Sequence, residues 1–192
     1  DKSDILNNLG LKEKQYILLS AHREENIDVE DNFISLMNAV NAMAEFYDMP
    51  VLYSCHPRSR NMIKTRDFKF NKRVIQSQPL SFFDYNKLQQ NAFCVVSDSG
   101  TIPEESAYFK FPAVSIRTST ERPEAMDKGV FIIGSITTDS ILQAVNMAVE
   151  MERCGDLAMD CPAYVDENVS TKVVKLIQSY VGVINKMIWR KY

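Results

Sequence analysis

The feature that most constrains this chain is an alternation of two hydrophobic periods. Short apolar runs at 16–20, 51–55, 74–76, 93–97, 113–116 and 130–133 are separated by longer amphipathic stretches. The runs lack strict polar alternation, which suits strands covered on both faces of a parallel sheet. Between them, Phe33, Leu36, Met37, Val40, Met43 and Ala44 follow three-to-four spacing, as do Ile141, Ala144, Val145 and Ala148. This β-α-β-α order predicts a Rossmann-like, doubly wound α/β sheet. No internal repeat, low-complexity tract or flexible linker breaks the pattern, and 192 residues fit one domain over 1–192 with a sizeable core. The end of the chain differs. After an irregular segment at 154–167, Asn168-Val169-Ser170 reads as a helix start. Val173, Val174, Ile177, Val181, Ile184, Met187 and Ile188 then mark an apolar stripe, giving one long terminal helix at about 169–190 with no strand after it. Such a helix either packs on its own sheet or also contacts another domain, and the stripe's length, with Trp189 following it, favours the second.

Composition excludes several classes. The net charge is −3 and no basic stripe is present, which argues against a nucleic-acid partner. The apolar runs are far too short to cross a membrane. The chain opens on the polar Asp1-Lys2-Ser3-Asp4, with neither a signal peptide nor an initiator Met, so a cytoplasmic protein and an excised portion of a longer one are expected. Cys55, Cys94, Cys154 and Cys161 form no C-x-x-C pair and read as reduced thiols; Cys154 and Cys161 could pair, but nothing requires it.

In open α/β sheets ligands bind beyond the carboxyl ends of the strands. Polar residues gather there. Ala21-His22-Arg23-Glu24-Glu25-Asn26 follows the first run and His56-Pro57-Arg58 the second. Asp98-Ser99-Gly100-Thr101-Ile102-Pro103-Glu104-Glu105 follows the fourth, and Arg117 through Glu124 the fifth. Gly100 permits a tight strand-to-helix turn and close backbone approach. Thr101 and Glu104 have capping-box spacing, and the helix they open offers free N–H groups to an anion, with Ser99 and Thr101 adding hydroxyls. A capped helix with no ligand fits the same residues. Glu105 suits either the two hydroxyls of a ribose or simple placement at the helix dipole. Arg117 and Arg122 suit a diphosphate, or a local salt-bridge web with Glu121 and Glu124, which is the expectation for Arg122. His56 is structural or functional. His22, followed by Arg23 and two acids, is the stronger candidate for chemistry. The six glycines form neither G-x-G-x-x-G nor a P-loop, two separated histidines make no zinc motif, and no G-x-S-x-G elbow occurs. No cofactor and no metal are expected.

These stretches together resemble the non-hydrolysing UDP-N-acetylglucosamine 2-epimerase family. The Ser20-Ala21-His22-Arg23-Glu24-Glu25-Asn26-Ile27 run, the Cys55-His56-Pro57-Arg58 turn and the segment from Tyr164 to Ser170 look most like its capsule and O-antigen branch, which forms UDP-N-acetyl-L-fucosamine. The resemblance implies the C-terminal, UDP-binding half of a GT-B-type two-domain enzyme, with the substrate in the cleft between domains and a homodimer when full length. The ligands it implies are UDP and a UDP-N-acetylhexosamine. His22 would lie near the diphosphate on the leaving-group side. Ser99, Gly100 and Thr101 would bind phosphate, Glu105 the ribose, and Arg117 would line the nucleotide-sugar site. Tyr85 falls where the family has an aromatic beside uracil, and His56 at a position linked to a regulatory site. Two departures stand out: Thr101 replaces a common second glycine, and Leu80 a common glutamine. In the family's reaction the C2 proton is removed and UDP leaves from C1. The resulting 2-acetamidoglucal is protonated on its other face and UDP adds back. The carboxylates assigned to proton transfer belong to the other domain, so this chain alone is expected to be inactive. Two other readings fit the same residues: a donor-binding half of a GT-B glycosyltransferase, and a non-catalytic nucleotide-sugar sensor. Product formation from UDP-N-acetylglucosamine without an acceptor separates epimerase from transferase.

Overall fold

Six parallel strands form the one sheet found among the described residues of this computed structural model, which cover 3–157 and 160–191. In chain order the elements are α1 (Ile5–Leu9), β1 (Ile17–Ser20), α2 (Glu24–Ile27), α3 (Glu30–Phe46), β2 (Val51–Ser54), α4 (Pro57–Thr65), β3 (Val74–Ser77), α5 (Phe82–Asn91), β4 (Cys94–Ser97), α6 (Ile102–Phe109), β5 (Ala113–Ile116), α7 (Pro123–Asp127), β6 (Ile132–Gly134), α8 (Thr138–Arg153) and α9 (Val169–Met187). The strand order β3-β2-β1-β4-β5-β6 is that of a doubly wound Rossmann-like sheet. The chain divides into two compact units, 1–161 and 162–192.

The first unit holds the sheet. β4 and β5 are buried along their length because their Cys, Val, Ala and Ile side chains are covered on both faces. The α3 stripe read from the sequence is the buried one, with Phe33, Leu36, Met37, Val40, Met43 and Ala44 all inaccessible. Each such large side chain contributes about 1.5–3 kcal/mol on burial. α8 packs its Ile141, Ala144, Val145 and Ala148 into the same core. The run at 130–133 divides differently from its hydrophobicity. Val130 N–H donates to Ala125 O at 3.0 Å, with Gly129 at φ 62°, so Val130 closes α7 and the strand begins at Ile132.

Local chemistry fixes where the helices begin beyond the carboxyl edge of the sheet. Ser81 Oγ accepts from Asp84 N–H at 3.3 Å and caps α5. α4 starts at Pro57, whose missing N–H costs nothing in the first turn, with His56 Nδ1 accepting from Arg58 N–H at 3.3 Å. Buried hydroxyls then hold the end of β1, with Tyr53 O–H and Ser59 O–H both donating to Ala21 O, at 3.0 and 2.7 Å.

In the second unit α9 ends at Met187, near the expected limit, and none of its residues is buried. Asn168 begins it in the left-handed conformation (φ 56°) with no side-chain cap. No helix among the described residues is long and apolar enough to cross a membrane. All four cysteines, Cys154 and Cys161 included, are free thiols.

Candidate functional site

The connections leaving β1 and β4 run to opposite sides of the sheet, opening a crevice between their carboxyl ends. Pairing of Ser20 with Ser97 brings the two strand ends level. Ala21-His22-Arg23 and Asp98-Ser99-Gly100 therefore emerge side by side, and Arg117 leaves β5 next to them.

Asp98 is the hub of this edge. Its side chain is 0% exposed. Oδ2 accepts from His22 N–H and Arg23 N–H, both at 2.9 Å, and from Asn26 Nδ2 at 3.2 Å. Asn26 Nδ2 also donates to Ile116 O at 3.1 Å, so one amide ties the ends of β1, β4 and β5 together. Oδ1 faces the His22 ring, with Nδ1 at 3.0 Å. Burial alone would raise the Asp98 pKa; the bond from the His22 ring and the two amide bonds outweigh it and hold the carboxyl below its ordinary value. The same bond raises the His22 pKa above its ordinary 6.5, against burial and the nearby Arg23 charge.

Two guanidinium groups flank the Gly100 turn. A Cβ placed on Gly100 would lie 3.8 Å from Arg23 Nη2 and 3.9 Å from Arg117 Nη1. Arg23 is fixed by Nε donating to Asp98 O at 2.9 Å. Arg117 is itself buried, and its Nη2 donates to Glu121 Oε1 at 2.7 Å. That bond holds the exposed Glu121 carboxyl below its ordinary pKa.

The start of α6 departs from the expected capping box. Thr101 makes no cap bond, and its hydroxyl donates to Glu105 Oε1 at 2.8 Å. Glu105 also accepts from the buried Gln89 amide. Glu104 is drawn away to Arg122, whose Nε donates to it at 2.5 Å, so Arg122 pairs with Glu104 and binds Glu121 through its backbone oxygen. Ser99 Oγ lies 3.0 Å from Thr101 Oγ1 and accepts from Thr101 N–H at 3.3 Å. Ser99, Gly100, Thr101 and Glu105 thus form one polar turn.

His56 is brought close to His22, with ring centroids 6.1 Å apart, but it is exposed and its Nδ1 serves the α4 cap. Tyr85 projects from α5 with its phenol beside Ser20 and Ser97, and burial pushes its pKa up to about 12. Among the described residues no group of three or more His, Cys, Asp or Glu is arranged to hold a metal ion.

Asp98 stands among the arginines of this edge. Its carboxylate instead binds a histidine ring, two amides and Asn26, while Arg23 binds its backbone oxygen. Likewise Glu24 pairs with Arg58 rather than with Arg23. Asp98, Asn26 and Gln89 were missed as site members. For Asp98 a signal existed: it is the first residue after a central strand, where a carboxylate must be buried and satisfied.

Fold and site together define a Rossmann-like α/β protein with a cation-lined crevice at its switch point. Comparison with known proteins gives the particular kind. The chain belongs to the UDP-N-acetylglucosamine 2-epimerase family, whose model matches residues 1–178. It is 27% identical over 183 residues to the UDP-N-acetylglucosamine 2-epimerase of Bacillus subtilis, covering 93% of this chain and 47% of that one. The solved UDP-N-acetylglucosamine 2-epimerase of Rickettsia bellii superposes with a TM-score of 0.80 at 35% identity, covering 99% of this chain and 51% of that one. The Methanocaldococcus jannaschii UDP-GlcNAc 2-epimerase, solved in complex with UDP-GlcNAc and UDP, superposes with a TM-score of 0.78 at 23% identity over 93% of this chain and 49% of that one. The chain therefore spans about half the length of these relatives.

Proposed function

We propose that this chain is the UDP-binding part of an enzyme that inverts C2 of a UDP-N-acetylhexosamine of the UDP-GlcNAc type. The observation that carries the reading is the pair of guanidinium groups flanking the Gly100 turn, with Asp98-held His22 on the same edge. A diphosphate placed there meets two fixed cations, the Ser99 and Thr101 hydroxyls and the N-terminal end of α6. Glu105, already anchored by Gln89, offers a carboxylate to ribose, and the half-buried Tyr85 a ring for the base. Departure of UDP from C1 puts negative charge on the β-phosphate, and preorganised donors aimed at that charge lower the barrier. Relatives of this fold that are crystallised with UDP and UDP-GlcNAc support the ligand. The motif resemblance supports a capsule or O-antigen product, a cytoplasmic location, a second domain completing a GT-B-type cleft, and a homodimer.

Titration calorimetry of this chain with UDP is the direct test. Binding is expected, and weaker than in a whole enzyme because one wall of the cleft is absent. No heat at millimolar UDP with folded protein would sink the reading. Glu105→Ala should weaken UDP more than a diphosphate analogue lacking the ribose hydroxyls; equal losses would remove the ribose role.

The two histidines should separate in the same titration. His22→Asn is expected to cost roughly tenfold or more in UDP affinity, the lower end of a hydrogen bond to a charged group. His56→Asn should stay within about twofold, because its ring nitrogen is spent on the α4 cap, worth about 0.5–2 kcal/mol of stability. A larger affinity loss at His56 would reverse the assignment.

A further inference from the structure

Building on the UDP reading, we propose that Asp98 is a positioning residue for His22, fixing its ring with Nδ1–H turned inward and Nε2 presented to the open crevice. The argument is one of hydrogen-bond capacity. A carboxylate out of water is costly unless its lone pairs are met. Three donors meet Oδ2, leaving Oδ1 with no partner except the His22 ring. Nδ1 must therefore carry a proton whether the ring is neutral or charged. A free imidazole mostly holds its single proton on Nε2, so the site selects the less common tautomer.

The consequence falls on Nε2. In the neutral ring it is a bare acceptor, useless to a phosphate oxygen; in the imidazolium it is a charged donor. The groups facing the ring decide which form prevails. Asp98 approaches from the β4–α6 turn, Arg23 from the ring's own loop, and the His56 ring from the β2–α4 turn at 6.1 Å. The hydrogen bond to Asp98 leads and favours the cation; burial and Arg23 oppose it without cancelling it. Because Asp98 also takes the His22 and Arg23 amides, the contact that sets the proton sets the loop.

The test begins with nitrogen NMR of the His22 ring in the 192-residue chain without ligand. The neutral ring should be the Nδ1–H tautomer and should titrate above the ordinary value. In Asp98→Asn the side-chain oxygen is held by the three donors at the Oδ2 position, so the NH2 turns toward His22 Nδ1. The tautomer should flip to Nε2–H, and the His22 pKa should fall by about 1 unit or more, the usual effect of an opposite charge at this range. Between pH 6.5 and 9, where the diphosphate stays ionised, wild-type UDP affinity should fall as pH rises through the His22 pKa. In Asp98→Asn that fall should begin at lower pH. A wild-type neutral ring in the Nε2–H form would overturn the proposal even if the variant fails to fold, and so would an unchanged titration in the folded variant. A flipped tautomer in the variant beside a wild type that ignores UDP would support the Asp98–His22 link while sinking the nucleotide reading.

Discussion

Arg117→Met is expected to weaken UDP binding by roughly 10- to 150-fold while leaving the melting temperature unchanged or higher. The affinity loss is the 1.5–3 kcal/mol of a hydrogen bond to a charged group. The stability side follows from burial. The Arg117 side chain is only 6% exposed, yet its ion partner Glu121 is 63% exposed. Taking a guanidinium out of water costs several kcal/mol, and a pair with one partner in solvent returns little of it. Methionine keeps the apolar stem, so the variant loses the charge without opening a large void. A side chain that costs stability where it sits, turned toward the Gly100 turn, is what a ligand site selects. Calorimetry with UDP beside a thermal melt decides it. A large loss of melting temperature with UDP affinity intact would make Arg117 a structural residue.

The contrast between Arg117 and Asp98 marks how far the sequence could be read. Strand positions and helix stripes follow largely from apolar period, the run at 130–133 excepted, so the sheet, its parallel sense and the polar edge were legible from 16–20, 93–97 and the stretches after them. Arg117 was legible too, because a basic residue directly after a strand must sit at that edge. Side-chain pairing was not. Thr101, Glu104 and Glu105 lie within five residues, and spacing favours the capping box. The outcome instead turned on Gln89 and Arg122, 16 and 18 positions away from the acids they bind. Asp98 has the same character: its donors at His22, Arg23 and Asn26 are 72 to 76 residues distant. Local spacing sees helices and turns; the partners of a buried carboxylate are set by which strands lie side by side.

That pairing also bears on catalysis, where the expected result is that this chain alone does not exchange the C2 proton of UDP-N-acetylglucosamine. Inversion at C2 needs a base on one face of the sugar and an acid on the other, each within about 2.6–3.2 Å of the proton it moves. The acids along the crevice edge are otherwise engaged. Glu24 pairs with Arg58 at 2.7 Å, Glu25 lies 3.8 Å from Arg23, Glu104 binds Arg122, and Glu121 binds Arg117. Glu105 is held between Thr101 and Gln89, and Glu124 also has a partner. Asp98 is sealed from solvent, and its pKa, like that of Glu121, is held down by its hydrogen bonds, the opposite of a base poised near neutrality. His22 is raised above its ordinary value by its contact with Asp98, and in any case a single ring cannot serve both faces of the sugar. Each missing acid or base forfeits about 10²–10⁴ in rate, so leaving-group stabilisation on its own yields nothing measurable. The assay is proton–deuterium exchange at C2 in heavy water, followed by NMR, with exchange expected at background. Exchange above it, abolished by replacing one of these acids, would mean that this half carries the catalytic base.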